Sequence, residues 1–172
     1  MTGHAVTACS LIEPLLIPEP GKNTVQLNFE GYVSEVRCSD RPLAEKLEQY
    51  FAPFRARSGQ PRVVVHAVQG PEWEPGLRFQ ERPRDIPGKE VKDAVCELPD
   101  GRAVRKIKTG MTMVMTDTCG VVAGPCLQNL NQVINFINNR YIEWRLNQGA
   151  LLLHCAGVAL RGKGIALCGF SG

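Results

Sequence analysis

The sequence predicts a mixed α/β fold: an N-terminal α/β piece with an antiparallel meander, a connecting helix, and then the opening strands of a second domain. Three observations carry this. Apolar residues alternate with polar ones over 24–36 and again across about 90–124, the period of half-buried strands, and Asp100-Gly101 sits between two such runs as a hairpin turn. Two other stretches, 40–51 and 127–146, repeat apolar residues at three- and four-residue steps, as amphipathic helices do. The last stretch, 154–172, reads as two strands and a turn running into glycines.

Residues 1–22 carry Pro14, Pro18 and Pro20 and end near Gly21, which suggests a flexible arm with a docked turn at Leu15 to Ile17. Thr24 to Cys38 follows as strand; Val25, Leu27 and Phe29 alternate with polar neighbours, and Gly31 suggests a bulge or bend before Tyr32. Asp40-Arg41-Pro42 starts a helix: a capping carboxylate, then proline in the first turn. Leu43, Leu47, Tyr50 and Phe51 form its apolar face, and Pro53 stops it. Arg62 to Val68 is a valine-rich strand in which His66 reads as a packed sheet residue rather than a ligand. Pro71 to Pro87 is proline- and charge-rich and reads as a long surface loop pinned by Trp73 and Phe79.

The meander then runs through Lys92–Leu98, Arg102–Lys108, Met111–Thr116 and Val121–Ala123, with Met111, Met113 and Met115 as core filler. Leu127 to Leu146 is a helix with Leu130, Ile134, Ile137, Tyr141 and Trp144 on one face and Gly149 as its stop. Ala150 to Leu153 reads as an apolar strand leading to His154. The domain plan is therefore a flexible arm (1–22), an α/β domain (23–124), a connecting helix (125–148) and the start of a further domain (149–172).

The 172 residues carry a net charge of +3, too mild for a nucleic-acid surface, and no run is apolar enough to span a membrane or to serve as a signal peptide. The seven cysteines form no Cys-x-x-Cys, and their spacing suits free thiols in a reducing cytoplasm. A zinc site from Cys119, Cys126 and a distant histidine lacks the close pairs such sites use, so no metal site is expected.

Ile165 to Cys168 reads as a short buried-type strand after an Arg161–Gly164 turn, and Gly169-Phe170-Ser171-Gly172 follows it directly. These four residues fit the first half of the phosphate-binding pattern G-x-x-x-x-G-K-[ST]. By itself such a match is most often a plain turn. Lys163 is not the pattern's lysine, because it precedes the strand.

His154, Gly162, Lys163, Gly164, Ile165, Leu167, Gly169, Ser171 and Gly172 together resemble the start of the kinase domain of HPr kinase/phosphorylase. The chain is most similar to the group called HprK-related kinase B. The resemblance implies the first strands of a P-loop, PEPCK-like kinase domain, ATP and Mg²⁺ as cofactors, and a hydroxyl acceptor such as a serine of a protein substrate. It implies that Gly169, Phe170, Ser171 and Gly172 begin the nucleotide loop and that His154 lies close to it as the candidate catalytic residue. On this reading the chain stops within the loop, and without the lysine and hydroxyl residue it is not expected to transfer phosphate alone. Open strand edges at 156–168 would invite pairing with another chain, including a second copy. The alternative is a non-catalytic protein-binding or regulatory module, in which 23–124 recognises a partner and the glycine end is incidental.

Overall fold

The computed structural model describes residues 5–18, 21, 23–82, 88 and 90–168. In chain order the elements are α1 (Ala8–Ile12), a 3₁₀ turn (Glu13–Leu15), β1 (Thr24–Phe29), β2 (Tyr32–Cys38), α2 (Arg41–Tyr50), a second 3₁₀ turn (Ala52–Phe54), β3 (Val63–Gln69), β4 (Gln80–Glu81), β5 (Asp93–Leu98), β6 (Gly101–Lys106), β7 (Met111–Met115), β8 (Cys119–Gly124), α3 (Leu130–Leu146), β9 (Ala156–Leu160) and β10 (Lys163–Leu167). The first eight strands make one mixed sheet in the order β1-β2-β3-β8-β7-β6-β5-β4. The chain divides into two compact units within α3, at Asn138/Asn139.

The hairpins come from local turn chemistry. Glu30 (φ 52°) and Gly31 (φ 93°) both sit left-handed, the geometry of a two-residue turn whose twist matches the strands. Gly31 is thus neither bulge nor bend, and Val33 pairs with Asn28 across a regular ladder. Pro99 and Asp100 close the β5–β6 turn, with Leu98 opposite Gly101. The antiparallel run β5-β6-β7-β8 is the expected meander. β3 joins it to the β1–β2 hairpin by pairing parallel with both β2 and β8.

Strand parity sorts the core into two layers. Val25, Leu27, Val36, Cys38, Val63, Val65, Ala67, Val122 and Met113 share one face. There α2 packs on β1 and β2, burying Leu43, Ala44, Leu47 and Phe51. The Asp40 carboxylate caps α2 by accepting the Leu43 N–H at 2.8 Å, as expected from the sequence. Gly120 lies under the Phe136 ring of α3, so close that any Cβ there would collide with it. Tyr50, expected on the buried face, is 56% exposed; it stands edge-on to Phe51 instead, because the helix ends there and turns its last residue outward.

The opposite face carries Ala103, Val114, Val121 and Ala123, covered by Ala8 and Ile12 of α1 and by Trp73, Leu77 and Phe79 of the long loop. Residues 5–18 are therefore docked, where the prolines suggested a loose arm docked only by a turn at Leu15 to Ile17. Thr7 and Ser10 form a reciprocal capping box. Asp100 of the β5–β6 turn accepts the Ala8 and Cys9 N–H groups at 2.6 and 2.9 Å. The loop is held by Thr112, whose hydroxyl donates to the Trp73 carbonyl at 3.0 Å, and by Arg105, which pairs with Glu72 and Glu74. It adds the short strand β4, which sequence alone did not suggest, while residues 83–87 fall outside the described ones.

α3 starts at Leu130, three residues later than expected, because 125–129 forms a separate turn. Gln69 holds that turn by accepting the Leu127 N–H at 2.8 Å. In the second unit the helix ends on Gly149 (φ 85°), with the Gly149 and Ala150 amides donating back to Leu146 and Arg145, a Schellman cap. The strand expected over Ala150–Leu153 is not formed. β9 and β10 pair antiparallel through the left-handed turn Arg161-Gly162, so Lys163 and Gly164 belong to a strand and not to the turn. The buried-type strand expected over 165–168 is exposed, Ile165 at 64% and Leu167 at 61%, since a two-stranded ribbon has no layer of its own to bury it.

Leu47→Ala should lower the stability of the first unit by about 2–4 kcal/mol in urea unfolding, since it empties a closed site. Tyr50→Ala, one helical turn away and largely in water, should cost less than about 1 kcal/mol.

Candidate functional site

Two places are candidates for a functional site, one in each compact unit. The first is the open end of the β9–β10 hairpin. The register pairs Leu167 with Ala156, so Cys168 and Cys155 leave the ladder side by side. His154 therefore lies at the end from which the chain continues to Gly169. It is exposed and in no strand. Gly169, Phe170, Ser171 and Gly172, the expected phosphate loop, lie outside the described residues. Arg161 and Lys163 sit at or beside the turn, the opposite end of the ribbon. A strand rises about 3.3 Å per residue, so Lys163 lies roughly 20 Å of extended chain before Gly169. Of the hairpin's own described residues, those at the His154 end thus offer an imidazole and two thiols. They do not by themselves fit a triphosphate with Mg²⁺.

The second place was not foreseen as a group. On the α1 side of the first unit, β1, β2 and β3 bring Gln26, Glu35, Arg37 and His66 into one strip: Gln26 pairs with Glu35 across β1–β2, and Arg37 lies beside His66 across β2–β3. Glu35 is 4% exposed and His66 2%. Arg37 clamps Glu35, its Nε and terminal nitrogen both at 2.7 Å from Oε1, while Gln26 donates to Oε2 at 3.1 Å. The remaining oxygen of the Gln26 amide is buried with no partner among the described residues. Arg37 also donates to the Ile17 carbonyl at 3.2 Å. The Ile17 N–H donates to Nδ1 of His66 at 3.0 Å, so that nitrogen is unprotonated and the ring neutral.

Burial, and next the Arg37 charge, push His66 down to about 4, against the smaller opposite pull of Glu35. The unfolded chain takes up this proton near pH 6.5. The folded state therefore loses stability as pH falls from about 6.5 toward 4, and above 6.5 this group has no effect. His66 is a packed sheet residue, as expected, with the added role of accepting from the arm.

All seven cysteines are free. Cys38 and Cys126 are buried, and burial pushes both thiols up to about 12, which makes them inert. Cys168, expected inside a strand, is exposed just past β10. Among the described residues no group of three or more His, Cys, Asp or Glu could hold a metal ion, and no helix is long and apolar enough to cross a membrane. A shallow depression of about 230 Å³ beside β1 is lined by Thr24, Gln26, Glu48, Arg55 and Arg57; Arg55 is already paired with Glu48 at 3.8 Å.

The chain matches no protein-family model, no curated protein and no solved structure.

Arg37→Met should destabilise the first unit by about 2–4 kcal/mol in urea unfolding, because it leaves the Glu35 carboxylate buried without its countercharge. Adding Glu35→Leu should recover most of that loss, a coupling that a double-mutant cycle measures.

Proposed function

We propose that this chain forms the leading part of an ATP-dependent kinase related to HPr kinase/phosphorylase, closest to HprK-related kinase B, which passes a phosphoryl group to a hydroxyl, such as a serine of a protein. The observation that carries this reading is the β9–β10 hairpin. β10 runs toward Gly169-Phe170-Ser171-Gly172, and the ladder register returns His154 to that same end. Strand followed directly by a glycine-bearing loop is the order a phosphate loop requires.

In this reading Gly169, Phe170, Ser171 and Gly172 turn backbone N–H groups toward phosphate oxygens. His154 stands beside them as a hydrogen-bonding or proton-handling group. ATP with Mg²⁺ supplies the transferable phosphoryl group when bound. The lysine, the hydroxyl residue and the acid that activates the acceptor are assigned to residues following Gly172, since none is present among the described residues at the His154 end. The first unit serves as the scaffold ahead of this domain, the exposed edges of β9 and β10 pair with strands of the same domain or of a second copy, and the protein works in the cytoplasm without nucleic acid or membrane.

A non-catalytic binding module is the competing reading. It is favoured by the first unit, which closes a core of its own and spends its buried charges on packing.

The deciding experiment is ATP binding, in the presence of Mg²⁺, by the full product of the gene. Saturable binding that is lost on Gly172→Trp is expected, together with a Gly-Lys-Ser-like sequence encoded after Gly172. No detectable binding, or a stop codon directly after Gly172, would overturn the kinase and leave the module.

A further inference from the structure

We propose that residues 13–18 form a proton-sensitive latch, held shut by the neutral ring of His66 and released when that ring takes a second proton. This stands apart from the kinase reading, since it uses only the first unit.

The segment links α1 to the region before β1. Its side chains bury little: Glu13, Pro14, Leu16 and Pro18 are exposed, and only Leu15 and Ile17 are partly covered. The main chain of Ile17 is gripped instead, its N–H by Nδ1 of His66 at 3.0 Å and its carbonyl by Arg37 at 3.2 Å. Two side chains thus read one residue of the strap as a neighbouring strand would. α1 does not share this dependence, being anchored by Asp100 and by Ala8 and Ile12 in the core.

Protonation turns the grip into a clash. An N–H at Nδ1 would face the Ile17 N–H, donor against donor, in a place that excludes water. The charged groups facing His66 are Arg37 and Glu35, both from β2. Glu35 is engaged by Arg37 and Gln26, so it has little left to offer an imidazolium. β8 sets the uncharged Val121 beside the ring, and the strap offers only the Ile17 backbone. The new charge is relieved by lifting the strap and admitting water, where an imidazole regains its ordinary proton affinity. Opening also frees Arg37 from the Ile17 carbonyl.

The Ile17 amide is itself the reporter. Its hydrogen-exchange protection, measured by NMR on the 172-residue chain and corrected for intrinsic rates, should fall roughly 20-fold between pH 7 and pH 5, from the proton affinities of the open and closed states. The Val121 amide should hold its protection. Protection at Ile17 that stays level, or that falls in step with Val121, overturns the latch. His66→Asn keeps an acceptor oxygen near the Nδ1 position but does not titrate; Ile17 protection should then be flat over this range, and an unchanged slope overturns the proposal. If that variant fails to fold, the NMR titration of the wild-type His66 ring decides: a midpoint well below 6.5 supports the latch, and one at 6.5 or above sinks it.

Discussion

The first unit depends on β3. Its seven residues pair parallel with β2 on one side and β8 on the other, and among the described residues no other strand joins the β1–β2 hairpin to the meander. Parallel strands of this kind are covered on both faces and read as near-continuous apolar runs. That is why Val63 to Val68 shows no alternation. Val63, Val65 and Ala67 serve the layer beneath α2 and α3, and Val64, His66 and Val68 the layer beneath the N-terminal segment. His66 is the one polar side chain in the run. Its burial is tolerable because the Ile17 amide gives its ring nitrogen a partner.

The polar strip and the N-terminal segment explain each other. A carboxylate as buried as Glu35 needs its countercharge at once, and Arg37 supplies it from the same strand, two residues away on the same face. Arg37 then has a nitrogen to spare for the Ile17 carbonyl. The segment thus meets a charged group that is already paired, and both backbone groups of Ile17 find partners there. Replacing this strip with apolar residues would give a firmer lid, but one indifferent to pH. In the second unit the balance is reversed: β9 and β10 have exposed apolar side chains, with Val158, Leu160, Ile165 and Leu167 all more than half in water.

What the sequence made legible was local. Asp40-Arg41-Pro42 carries its capping chemistry in three adjacent residues, and Asp100-Gly101 marks a hairpin wherever it falls between alternating runs. The methionine alternation placed β7 correctly, although Thr112 and Val114 are as buried as the methionines beside them. Non-local pairings were not legible. The parallel β2-β3-β8 seam is chosen by which faces can be covered, and no short window contains that information. Docking of 5–18 rests on Asp100, some ninety residues away, so proline spacing alone pointed to a loose arm. Glu35, Arg37 and His66 likewise meet only through the sheet, though two charged residues flanking Val36 in an otherwise core-like strand were a usable signal. At the hairpin, spacing put His154 ahead of the strand pair, and only the register could return it to the end that leads to Gly169.

Native-state hydrogen exchange under rising urea tests the central place of β3 most directly. If β3 is the seam, the amides of Val63–Gln69 and their partners in β2 and β8 should form one slowest class that exchanges only through global unfolding. Meander amides in β6 and β7 that keep their protection after β2 and β3 have exchanged would contradict this, and would mean that the two halves of the sheet stand without the strand between them.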